Sequence, residues 1–133
     1  MKIIINILLV FVSTIANAQM SYLNYTKGEV IEVFKGGKDY NVGNTKADNV
    51  EYVAVSDAEQ HFICYFNNDD LCFAVNIIPF KRDRMNEIIA TYNKSFVIIN
   101  DKSWIKYIDG FTLEISLEYN KEKDIYYFNW TLK

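Results

Sequence analysis

Large apolar residues fall on every second position between residues 111 and 119. Phe111, Leu113, Ile115, Leu117 and Tyr119 alternate with Thr112, Glu114, Ser116 and Glu118. A period of two predicts a strand with one face buried and one wet. Residues 120–124 are turn-forming, and Tyr126, Phe128, Trp130 and Leu132 then return with the same period. Pairing Tyr119 with Tyr126 sets Leu117 opposite Phe128 and Ile115 opposite Trp130, so both strands bury their large side chains together.

The same reasoning covers the rest of the chain. Thr26 and Glu29 form a capping box, and Tyr25 and Val30 stand where a hydrophobic staple would. With Val30, Ile31 and Phe34 as the apolar stripe and Gly36-Gly37 as the stop, a helix is expected over 27–35. Residues 38–48 are polar and read as a loop. Gly36-Gly37, next to lysines, follow a helix and do not open one, which removes the geometry for binding phosphate. A strand is expected over 50–55, with the buried face undecided. Strands over 60–66 and 71–78 flank the turn Asn67-Asn68-Asp69-Asp70, and Pro79 closes the second. Met85, Ile88, Ile89 and Tyr92 have helical spacing and predict a second helix over 81–93. Phe96 to Ile99 reads as a short strand, and Trp104, Ile105 and Ile108 as a turn or short helix.

The expected fold class is α+β. It has an antiparallel sheet of about five to six strands, two helices on one face, and the order α-β-β-β-α-β-(short α)-β-β. The other face would present Ile63, Tyr65, Cys72, Ala74, Asn76, Tyr127, Asn129, Thr112, Glu114 and Ser116. This mixed aromatic and polar surface has few charges, and its candidate binding residues are Ile63, Tyr65, Asn76, Tyr127 and Asn129.

The first residues have a different pattern. Lys2 is followed by an apolar run from Ile3 to Ile15, and Ala16-Asn17-Ala18 places small residues where a signal peptidase reads. The run is too short for a bilayer, which needs about 20 residues. A cleaved secretory signal over 1–18 is therefore expected. It leaves a single α+β domain over 19–133, periplasmic or extracellular, with no transmembrane segment in the mature chain. Abundant Ile, Asn, Lys and Tyr point to an AT-rich bacterial genome.

Charge and cysteine content narrow the function. The formal net charge is −3, and losing Lys2 makes the chain more acidic. No nucleic-acid partner is expected, because that affinity comes from Lys and Arg on phosphates. Cys64 and Cys72 would meet an oxidising compartment. Two registers of the middle hairpin bear on them. One sets Cys64 opposite Cys72, where a disulfide could form. The other sets Phe66 opposite Leu71, Cys64 opposite Phe73 and Phe62 opposite Val75. The second keeps Asp70 and Asn76 out of the apolar stripe and is favoured. It puts the cysteines on opposite faces as free thiols, with the disulfide as the alternative.

No catalytic constellation emerges. His61 is the sole histidine. In the favoured register it lies roughly 13 Å from Cys72 at about 3.3 Å per residue, out of reach for a nucleophile–base pair. Asn67 to Asp70 lacks the spaced oxygens of a calcium loop. Lys81 to Arg84 reads as a solvated helix start, and Glu114 with Glu118 has nothing beside it to split the two acids. No cofactor and no metal is expected.

Ala16-Asn17-Ala18-Gln19, Tyr65-Phe66 followed by Cys72 and Pro79, Tyr92-Asn93, Trp104 and the closing hairpin together resemble a group of small exported, uncharacterised proteins of Bacteroidetes-type bacteria. The resemblance spans most of the mature chain. It implies an α+β fold and an envelope location, and carries over no catalytic residue. The expected function is a non-enzymatic binding or interaction module for a protein, peptide or small apolar ligand. The alternatives are an enzyme whose site the sequence hides, and a component of an envelope assembly joined through β-edge pairing.

Overall fold

A computed structural model describes residues 22–35, 40–45, 48–108 and 110–133. The expected signal segment and Gly36-Gly37 lie outside the described residues. In chain order the elements are α1 (Lys27–Phe34), β1 (Tyr40–Asn44), β2 (Glu51–Ser56), β3 (Gln60–Phe66), β4 (Cys72–Pro79), α2 (Arg82–Ser95), β5 (Val97–Asn100), β6 (Ser103–Ile108), β7 (Phe111–Asn120) and β8 (Ile125–Leu132). All strands join one antiparallel sheet ordered β1-β2-β3-β4-β8-β7-β6-β5. Two four-stranded meanders therefore meet at a central β4–β8 seam.

The expected five to six strands and the expected order are overturned by this eight-stranded sheet. Two segments account for the difference. Within the expected loop 38–48, Tyr40–Asn44 forms an edge strand against β2, with Val42 opposite Val53 and Gly43 opposite Tyr52. A Cβ on Gly43 would lie 2.7 Å from the Tyr52 hydroxyl, so glycine permits the tyrosine to lie across the edge. The expected short helix over 104–108 is strand β6. Trp104 faces the core opposite Ile115, while Ile105 and Tyr107 face the other way opposite Glu114 and Thr112. Its period is two, and the three apolar residues at helical spacing belong to different faces.

The last hairpin has the expected register: Tyr119 opposite Tyr126, Leu117 opposite Phe128, Ile115 opposite Trp130. The middle hairpin has neither expected register. Cys64 pairs with Val75 and Phe62 with Ile77, and a bulge lets Phe66 pair with Cys72. The bulge coincides with a contact from outside the hairpin. The Cys72 N–H donates to the Tyr25 carbonyl (2.7 Å), and the Cys72 carbonyl accepts from Asn24 N–H (2.8 Å). The segment before α1 thus takes the backbone groups at the start of β4, and Phe73 becomes the extra residue. Cys72 turns into the core and Phe73 outward, the reverse of the expected facing.

The capping box forms, with Glu29 N–H donating to Thr26 Oγ1 (3.2 Å) and Thr26 N–H to Glu29 Oε1 (3.1 Å). Both helices pack on one face of the sheet. Phe34 of α1 meets Phe62 at 5.9 Å between ring centroids. Tyr92 of α2 meets Trp104, Phe128 and Trp130 at 5.4, 5.3 and 5.4 Å, all near edge-to-face. This geometry suits aromatic quadrupoles. The polar tips are satisfied as well: Trp130 Nε1 donates to Tyr92 OH (2.9 Å), and Trp104 Nε1 to Asn93 Oδ1 (2.8 Å). Burial pushes the Tyr92 phenol well above its ordinary pKa, so it stays protonated and neutral.

Replacing Tyr92→Phe keeps the ring and strands a buried indole N–H. It should lower unfolding free energy by about 1–3 kcal/mol, read from urea midpoints. An unchanged midpoint would show that the Trp130–Tyr92 bond contributes nothing.

Candidate functional site

The face opposite the helices is organised by pairing register. Asn41, Ala54, Ile63, Asn76, Asn129, Ser116 and Ser103 form one continuous row across seven strands. A parallel row runs Gly43, Tyr52, Tyr65, Ala74, Thr131, Glu114, Ile105 and Val97. Tyr127 flanks the first row, opposite Glu118. Ile63, Tyr65, Asn76, Tyr127 and Asn129 are thus brought into one patch, each half-buried. Cys72, expected on this face, lies in the core. Ala74, Thr112, Glu114 and Ser116 share the face as expected.

The observed middle-hairpin register differs from the favoured one by two residues. An even shift preserves facing, which is why Ile63, Tyr65 and Asn76 stay on the expected side. Only the bulged start of β4 changes sides.

Asn76 is the centre of the patch. Its Nδ2 donates to Tyr65 OH at 3.2 Å, while its Oδ1 is buried without a hydrogen-bond partner. Burial pushes the Tyr65 phenol above its ordinary pKa, and the Asn76 hydrogen bond opposes the shift. The Tyr52 ring stands against Tyr65 at 6.4 Å between centroids. The chemistry offered is therefore two phenolic rings, an aliphatic patch and an amide acceptor that lacks a donor. An acceptor of this kind is complemented by an N–H or O–H donor.

Sequence reasoning missed part of this surface. Tyr52, Ile105 and Tyr107 belong to it through β2 and β6, and only the pairing of Gly43 with a tyrosine and the alternation of 103–108 could have signalled them. It also missed Ser56, whose hydroxyl hydrogen-bonds His61 Nδ1 across the β2–β3 hairpin. This places a hydroxyl beside a base, as nucleophilic catalysis requires. The pair is exposed, however, and His61 packs edge-on to the Phe80 ring at 4.6 Å. Neither residue lines the clefts beside Phe80. His61 and Cys72 lie on opposite sides of the sheet.

The basic stretch at the start of α2 is engaged locally. Arg84 Nε donates to Gln60 Oε1 (3.0 Å) and lies 3.2 Å from Glu59, while Nη1 contacts Glu87 at 3.1 Å. At one end of the sheet, a cleft of about 550 Å³ lies between the β1–β2 and β3–β4 turns and is lined by Asp48, Glu51, Asp70 and Phe73 among others. Glu51 is bound by Lys27 at 2.6 Å. Asn67 Oδ1 accepts from Asp69 and Leu71 N–H groups (2.9 and 3.1 Å), so its oxygen holds the turn. Among the described residues, no group of three His, Cys, Asp or Glu side chains could hold a metal ion.

Cys64 and Cys72 are fully buried, adjacent in the core and free. The hydrogen bond to Cys72, together with burial, raises the Cys64 pKa strongly. No protein-family model, no curated protein and no solved structure matches this chain.

Two outcomes follow. Asn76→Val removes the unpartnered acceptor together with the 3.2 Å bond from Nδ2 to Tyr65 OH, and adds a β-branched side chain to a central strand. Gain and loss are of similar size, so a urea titration should show a change within about 1 kcal/mol. A marked loss would mean that Asn76 supports the fold. Both thiols should resist an aromatic disulfide reagent in the native protein and react only after denaturation, because both side chains are shut inside the core. Rapid native labelling would contradict their burial.

Proposed function

We propose that the chain is an exported, non-enzymatic binding module whose ligand lies on the helix-free face of the sheet. A protein segment, a peptide or a small apolar molecule suits this face. The observation that supports the reading most is the buried, unpartnered Asn76 oxygen at the middle of the patch made by Ile63, Tyr65, Tyr127 and Asn129. An unsatisfied buried acceptor costs stability, and a surface that keeps one beside two tyrosines is organised for recognition. Tyrosine gives large contact area with few rotatable bonds and a polar tip.

Export is supported by Lys2, the apolar run 3–15 and Ala16-Asn17-Ala18. The resemblance to small exported proteins of Bacteroidetes-type bacteria agrees with a periplasmic or extracellular location. Intact-mass measurement of the protein recovered outside the cytoplasm should give a chain beginning at Gln19. Recovery of the full-length chain in the cytoplasm alone would end that part of the reading.

The binding reading is tested by panning a peptide display library against the immobilised protein. The expected result is a set of peptides retained by the native chain and lost with the double variant Tyr65→Ala/Tyr127→Ala, whose circular dichroism matches the parent. Peptides retained equally by both, or no enrichment from a large library, would overturn the assignment of this face.

A further inference from the structure

The two edges of the sheet differ. β1 carries Gly43, Asn41 and Asn44, residues that strands disfavour, and one exposed aliphatic, Val42. β5 is the last strand in the order at the other end, so its outer backbone groups have no strand partner among the described residues. All four of its residues are exposed, with Val97, Ile98 and Ile99 at 50%, 53% and 54%. No proline, glycine or charge interrupts Phe96 to Asn100. Monomeric proteins normally blunt an edge with lysine, proline or a covering element, and among the described residues this edge carries only a bulge at Ile99. The neighbouring strand adds Tyr107, 71% exposed.

We propose that two copies of this chain pair antiparallel through β5 and continue the sheet across a twofold axis. The occupant is a second copy because the segment is complementary to itself. An uncharged aliphatic run meets no like-charge repulsion from its own image. Lys94 precedes the run, and Asp101 follows it in the turn with Lys102. Antiparallel pairing brings the Lys94 end of each copy beside the Asp101 end of the other. A twofold interface places the same patch on both partners, as this requires. The bulge limits the paired stretch to about four residues, so the buried area falls below the roughly 1,200 Å² of stable complexes and the dimer is weak. Val97 and Tyr107 share a face with the patch around Asn76 but stand at its far edge, and the pairing uses the β5 backbone, so it does not depend on the assignment of that patch.

Sedimentation velocity of the purified chain, from micromolar to near-millimolar concentration, should show a reversible monomer–dimer equilibrium. Val97→Lys and Ile99→Lys, made separately, should each weaken association at least tenfold while leaving the thermal midpoint near that of the parent. Backbone amide exchange of the unmodified protein should slow at Val97–Asn100 as concentration rises, a readout that needs no variant. A monomer at every concentration would overturn the proposal. So would a dimer that both lysine variants leave intact, or one whose β5 amides exchange as fast as in the monomer.

Discussion

The β4–β8 seam is what makes one protein from two meanders. Val75 stands opposite Trp130 and Ile77 opposite Phe128, and all four are almost completely buried. Tyr92 covers the seam from above, its ring against both β8 aromatics and its hydroxyl on the indole N–H of Trp130. α2 reaches this position because it must carry the chain from the centre of the sheet at β4 to the far edge at β5. Tyr92, in the last turn of the helix, reaches aromatic rings of both β8 and β6. The apolar stripe of α2, the aromatics of β8 and Trp104 of β6 thus serve one contact.

What was legible in the sequence depended on whether period and turn chemistry agreed. The closing hairpin had both, and its register came out residue for residue. α1 carried a complete capping box, and its start was fixed by it. The middle hairpin had a clear turn but a register that the pattern could not determine. Its bulge sits where Asn24 and Tyr25, remote in sequence, bond the outer backbone groups of Cys72. No local signal reports such a partner. β6 was misread because Trp104, Ile105 and Ile108 fit a helical spacing while facing opposite ways. β1 was missed because an edge strand needs little apolar pattern of its own when its partner's tyrosine packs over a glycine. The candidate face survived the misread register because facing depends on parity, and the slip was even.

The two sides of the sheet divide the labour of the molecule. One side takes both helices, both tryptophans, both cysteines and the two aromatic clusters around Tyr22 and Tyr92. The other keeps rings, amides and hydroxyls half in water, with an amide oxygen left unpaired at its middle. A sheet loaded so heavily on one side can tolerate polar burial on the other. The strands that carry the amides are the same ones that bury Trp130 and Val75 on the helix side.

The position of the final strand has a consequence for how this chain is made. β8, ending at Leu132, is an interior strand, bonded to β4 on one side and β7 on the other. Until those last residues are available, the two halves share no ladder, and each exposes a row of unsatisfied backbone groups. The ladder that joins the two meanders therefore forms only after β8 has been made, a non-local pairing late in the order of synthesis.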